Sequence, residues 1–288
     1  MRNCVNTFQR CCALLLIGCF APLAARADST TTAASLVGRR CLATGPGVLV
    51  QSGERVVGTA QDLEPIFQVV NSQGDWVHVE SAGLSGWIRA SEVVPLEKAL
   101  DHFDAVVRSE PDNLPARTAR GIVHKQQGDF NAAIADHTYV IAHDPRPAAA
   151  YVNRGNAFAG KGRYDLALAD YEAAIKHDDS FLVAYNNLAW ALATRPESEL
   201  RDGRRAVAAA NKACELTNWK NVECLDTLAA AYAETRDFAQ AIRYENDALK
   251  ATADGSPAHR VFAARLARYE SNQPWREVSL GQLAGERR

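Results

Sequence analysis

The chain has 288 residues, 47% of them hydrophobic, and a formal net charge of −2 at pH 7. That length holds two small domains or one elongated one. A mildly acidic chain without a cluster of Lys and Arg is not expected to bind nucleic acid, and the absence of about 18 consecutive apolar residues beyond the N-terminal region predicts no transmembrane helix there.

Residues 1–27 read as an export signal. Arg2 and Arg10 precede the short apolar run Cys11 to Phe20, and Ala25-Arg26-Ala27 forms an A-x-A cleavage pattern before Asp28. A second reading stays open. Leu16-Ile17-Gly18-Cys19 resembles a bacterial lipobox, in which Cys19 would be lipidated and become the first mature residue. Both readings place the protein outside the cytoplasm, periplasmic or secreted in one case and lipid-anchored in the other. Residues 28–36 are rich in Ser, Thr and Ala and predict a flexible lead.

Residues 37–95 have a β texture. Short apolar runs (Val48 to Val50, Val56-Val57, Ile66 to Val70, Trp76 to Val79, Trp87-Ile88) alternate with turn residues such as Gly45-Pro46-Gly47, Ser52-Gly53 and Gly74-Asp75. Strands this short in so small a segment fit a closed sheet, which buries apolar surface without open edges. The residues Gly74-Asp75-Trp76-Val77-His78-Val79, Gly86-Trp87-Ile88 and Val93-Val94-Pro95 resemble a bacterial SH3-like (SH3b) domain. Some such domains bind cell-wall peptides. There is no Tyr between Val37 and Pro95 to build a proline-binding groove, so Trp76 and Trp87 are expected in the core.

From Leu96 the chain switches to Ala- and Leu-rich helical patterns with a period of 34 residues. Gly121 returns as Gly155 and then as Ala189, Gly128 as Gly162, Phe130 as Tyr164, Ala133 as Ala167, Val140 as Ala174, and Pro111 as Pro145. The period, the small residue inside one helix and the aromatic that opens the next resemble the tetratricopeptide (TPR) repeat. The resemblance implies repeats over 96–255 and a C-terminal capping helix over 256–271. A loosely held tail is expected over 272–288, with Trp275 as the residue that could pin it. The repeat that starts at Leu182 is irregular, with extra residues in the turn between Thr194 and Gly203.

The expected architecture is therefore multidomain: a small all-β SH3-like barrel followed by an all-α TPR superhelix, a right-handed α-solenoid. The combination also resembles a class of exported bacterial proteins. No Ser-His-Asp, HExxH, P-loop or GxGxxG pattern stands in a suitable setting, so no enzyme is expected, and no cofactor. Acids and bases are assigned to solvated helix faces.

A TPR array implies a protein or peptide partner held on the concave face, with an unnamed cell-envelope partner as the first expectation and cell-wall peptide on the barrel as the alternative. The residues expected in the groove are Thr118, Ile122, Lys125, Val152, Asn153, Asn156, Asn186, Asn187 and Trp190. Trp190 is the best single candidate for an anchor, because large aromatics carry much of the energy of binding sites, and core packing at the irregular repeat is the equal alternative. Asn153, Asn156 and Asn187 match Asn positions of TPR domains that clamp a C-terminal carboxylate. The cations of that clamp do not follow: Val152, Glu223 and Thr227 stand where Lys or Arg is wanted, which leaves polar groove residues or hydrogen bonding between helices as the alternatives for these Asn.

His124 and His137 fall on the two helices of one repeat and are expected to form a hydrogen-bonded pair in its core; two His are too few for zinc, so no metal is expected. Outside residues 1–27 only Cys41, Cys214 and Cys224 remain. Cys214 and Cys224 flank one short turn, which leaves a disulfide or two buried thiols as the alternatives.

Overall fold

The computed structural model describes residues 32–45, 47–53, 55–59, 65–81 and 84–277. The expected export signal at 1–27 with Cys19, most of the expected lead and residues 278–288 lie outside the described residues.

The chain opens on a short helix, α1 (Ala33–Leu36), capped by Thr32. Among the described residues seven strands follow: β1 (Arg40–Ala43), β2 (Leu49–Ser52), β3 (Arg55–Thr59), β4 (Phe67–Gln73), β5 (Trp76–Ser81), β6 (Leu84–Arg89) and β7 (Val93–Pro95). All pair antiparallel, in the order β3-β2-β6-β5-β4-β1-β7. Among the described residues the end strands β3 and β7 do not pair, so the sheet is not closed as the sequence predicts. β3 keeps its outer edge open and leaves Val56 and Val57 exposed.

Two further expectations change here. The end of the supposed flexible lead is ordered: Leu36 is fully buried and packs with Val50, Phe67, Val69, Val77, Val79 and Ile88. Trp76 and Trp87 are not in that core. Side chains alternate across a strand, and Val77, Val79 and Ile88 take the inner face. Trp76 and Trp87 therefore lie on the opposite face, half-buried. There Arg89 sits over Trp76 and His78 meets Trp87 edge-on with ring centroids 4.9 Å apart.

β7 runs directly into α2 (Leu96–Ser109), and one core spans the junction: Leu42 and Val94 of the sheet, Ala99, Phe103 and Val107 of α2, and Ala116 and Val123 of the next helix. Four helix pairs follow: α3 (Leu114–Gln126) with α4 (Phe130–His143), α5 (Ala148–Gly160) with α6 (Tyr164–His177), α7 (Leu182–Thr194) with α8 (Gly203–Leu216), and α9 (Val222–Glu234) with α10 (Phe238–Lys250). The lone helix α11 (Pro257–Glu270) closes the stack. The boundaries come from local chemistry. Asn113, Asp129, Asp202, Asn221, Asp237 and Ser256 each accept a hydrogen bond from a first-turn amide. Gly128 (φ +81°) and Gly162 (φ +75°) supply the left-handed turn after α3 and α5.

Within each pair the first helix approaches the second closely. A Cβ on Gly155 would lie 2.7 Å from the Tyr171 ring, and one on Gly121 would lie 2.7 Å from the His137 ring. That is why the small residue repeats. A central core of Ala and Leu side chains joins α5 to α11 through Ala189, Leu192, Ala210, Leu228 and Phe262.

Candidate partner-binding groove

The first helices of the pairs, α3, α5, α7 and α9, form an inner row, with α3 against α5 and α7 against α9. In stacks of this type such a row presents the concave face. Thr118, Ile122 and Lys125 lie on one face of α3, spaced four and three residues apart, and all three are half-buried. Burial lowers the pKa of the Lys125 ammonium. Asn153 on α5 and Asn186 on α7 are also half-buried, and the Asn186 carbonyl oxygen Oδ1 has no hydrogen-bond partner among the described residues.

The other expected groove residues are used differently. Val152 is 3% exposed and belongs to the core; a valine on the inner edge of α5 gains more by packing than by facing water. Asn156 and Asn187 are not free to hold a peptide. Asn156 Oδ1 accepts from the Tyr171 hydroxyl at 2.8 Å and from Asn187 Nδ2 at 3.0 Å, which ties α5 to α6 and α7. Trp190 is half-buried, with Arg265 of α11 over its ring at 4.5 Å and its indole N–H given to Glu277. The candidate anchor is thus covered by the chain's own C-terminal segment.

That segment is ordered through Glu277, against the expectation of a loose tail. The Glu277 amide donates to the Thr194 carbonyl at 2.9 Å and Arg276 donates to the Ala193 carbonyl at 3.1 Å. Arg276 also pairs with Glu234, and the Glu277 carboxylate pairs with Arg195 at 2.7 Å. Trp275 packs by Arg265, with the guanidinium 5.3 Å from its ring centre. The contacts follow from how α7 ends. It stops at Arg195-Pro196 without the glycine turn of α3 and α5, so its last carbonyls need other donors. Asp202 N–H serves Leu192, and the C-terminal segment serves Ala193 and Thr194.

Several charged residues are buried rather than solvated. Arg120 binds Asp136 with both arms, Nε at 2.9 Å and Nη2 at 2.6 Å, and Arg154 binds Asp170 in the same way at 2.9 and 2.7 Å. Asp136 and Asp170 are 3% and 5% exposed, so each pair is a desolvated strut that recurs with the repeat. A second cluster joins α9, α10 and α11. Glu245 is fully buried, and Arg265 reaches Asp226. Burial first, and then the Asp226 charge, push the Glu245 pKa up to about 10. Asp226 is raised as well, again mainly by burial. Glu245 is therefore protonated at neutral pH, and Arg265 faces the Asp226 carboxyl group. The sequence carries a signal for this cluster: Glu245 stands at the position of His137 and Tyr171, where an aromatic or other packing residue is expected.

His137 is buried, and both ring nitrogens lack a hydrogen-bond partner, so the expected hydrogen-bonded pair with His124 is not formed. Burial lowers its pKa to about 4, which keeps the ring neutral. Cys41, Cys214 and Cys224 are buried and unpaired, and burial raises all three thiol pKa values. Among the described residues no group of three or more His, Cys, Asp or Glu could hold a metal ion, and no helix is long and apolar enough to cross a membrane.

No curated protein matches the chain. Among solved structures it is similar to a thermophilic TPR protein of Thermus thermophilus (18% identity over 59% of this chain and 89% of that one, TM-score 0.49), to PilF of Pseudomonas aeruginosa (17%, 62% and 78%, TM-score 0.49) and to YrrB, described as a TPR protein with an unusual peptide-binding site (16%, 58% and 82%, TM-score 0.45). Residues 118–181, which span most of the helix pairs α3–α4 and α5–α6, match the tetratricopeptide repeat family model.

Proposed function

We propose that the chain is an exported, non-catalytic scaffold of the cell envelope that takes an extended protein segment on its inner helix row. The observation that carries this reading is the N-terminal half of that row. Lys125 is desolvated and has no carboxylate partner among the described residues, and it shares a half-buried face with Thr118 and Ile122. Asn153 follows one helix later. An unpaired cation beside amide and hydroxyl groups suits a segment that offers backbone groups and an acidic side chain. The arginine–aspartate struts hold the helices that present this face without using it.

The test compares full-length wild type with Asn153→Trp, a substitution that fills the row. Each is used as bait in the envelope fraction with brief cross-linking, and captured proteins are identified by mass spectrometry. Partners held by wild type and lost by Asn153→Trp support the reading. An identical set from both baits contradicts it.

A second reading rests on a separate observation, the aromatic outer face of the sheet. Trp76, His78 and Trp87 are half-buried there rather than packed in the core. Such a face suits cell-wall peptide or glycan, on which rings stack. Sedimentation of the full chain with purified cell wall, compared with Trp87→Ala, decides it: equal sedimentation of the two removes this reading.

A further inference from the structure

We infer that the channel between α7, α9 and α11 is a second peptide site, specific for an extended segment in which a basic residue precedes an acidic one, and that Trp275-Arg276-Glu277 fills it in the free chain. The inference rests on the reading of the inner row as a binding surface and extends it to the C-terminal half.

The channel has the parts of a recognition site. The carbonyls of Ala193 and Thr194, left over by the abrupt end of α7, accept from Arg276 and from the Glu277 backbone. Arg195 receives the acid: its side chain is 9% exposed, and its Nε is buried without a hydrogen-bond partner. Glu234 receives the base. The order of charges is thereby fixed along the segment, because the two sockets stand at different points of the channel.

Both sockets also have partners that do not belong to the segment. Arg195 lies over the Tyr164 ring at 4.1 Å, and Glu234 pairs with Arg201 at 3.0 Å. Glu234 therefore keeps a cation when the segment leaves, whereas Arg195 keeps only the ring, so a replacing segment has to bring an acid of its own to that socket. The segment follows α11 after a short turn at Ser271-Asn272, so it competes at high effective concentration. A partner segment of the same chemistry must displace it, and the C-terminus then acts as a built-in competitor.

The probe is a fluorescent peptide copying residues 272–277, followed by anisotropy against the full chain. The variant Arg276→Ala/Glu277→Ala weakens the resident segment and is expected to bind the peptide at least about tenfold more tightly than wild type does. Adding Arg195→Ala to that variant is expected to reverse the gain by about tenfold. A folded double variant that binds no better than wild type overturns the inference, as does binding indifferent to Arg195→Ala. Should the double variant not fold, isotope-labelled wild type is titrated with excess unlabelled peptide. The Glu277 amide resonance then shifts if the segment is exchangeable, and an unmoved resonance overturns the inference. Because the probe copies the chain itself, these outcomes are independent of the Asn153→Trp capture experiment.

Discussion

Trp190 donates its indole N–H to the carboxylate of Glu277, 87 residues further along the chain. The contact joins the irregular repeat to the C-terminal segment and gives the aromatic residue a structural task. With Arg265 over the other side of the ring, Trp190→Ala removes a cation–π contact, a hydrogen bond and part of a packed surface at once. The expected cost is about 2–3 kcal/mol of stability. Chemical denaturation of the full chain measures it; an unchanged midpoint would mean that Trp190 is dispensable to the fold.

Gly155 lies against the Tyr171 ring, where even a Cβ would come within 2.7 Å. Gly155→Leu forces α5 and α6 apart and is expected to cost about 1–3 kcal/mol. The check is a lowered thermal midpoint, with the far-ultraviolet spectrum showing that helix content survives at low temperature.

His137 makes the fold sensitive to acid. Burial lowers its pKa from 6.5 to about 4, against an upward pull from Asp136 and with further downward pulls from Lys125 and Arg154. Between those values the unfolded chain binds a proton that the folded chain does not. This contribution to stability is present above pH 6.5 and declines as pH falls towards 4, by up to about 1.4 kcal/mol per pH unit. Phe fits the same site, since the equivalent position in the next repeat holds Tyr171 over its glycine. His137→Phe is expected to flatten the stability profile in this range, and a profile parallel to wild type would refute the assignment.

Glu245 works in the opposite direction. Its folded pKa is raised from 4.5 to about 10, so above pH 4.5 the folded chain holds a proton that the unfolded chain releases. Stability is lost as pH rises through this window. Glu245→Gln keeps the shape and a donor towards Asp226 without the titration, so it is expected to stabilise the chain progressively more from pH 6 to pH 9, by on the order of 1 kcal/mol or more at the alkaline end. Equal destabilisation at every pH would show that the carboxyl group is needed for a reason other than its proton.

The helix stack was legible because its cause is periodic. Gly121 and Gly155 recur at one spacing since each must pass close to a ring on the partner helix. What depends on three-dimensional neighbours was not legible. Asn156 and Asn187 read as groove residues by position, but a tyrosine one helix away and their own mutual distance claim them. For Trp190 the sequence leaves groove and core equally open, because nothing local shows that the segment at 275–277 returns to it. The absence of tyrosines argues against a groove and so for Trp76 and Trp87 in the core, whereas the strict alternation of Val77, Val79 and Ile88 assigns that face to the valines and isoleucine. The open β3 edge depends on which strands pair, which short apolar runs do not specify. Acids assigned to solvent, Asp136 and Asp170, are buried because arginines at a fixed spacing reach them.

On the proposed function, partners lie on the inner row of helices. Hydrogen exchange followed by mass spectrometry on the full chain, with and without a partner captured by wild type and not by Asn153→Trp, tests it most directly. The predicted result is new protection in α3, α5 and α7, including the segments around Lys125 and Asn153, with α4, α6 and α8 unchanged. Protection confined to α4, α6 and α8, or to the sheet, would contradict it.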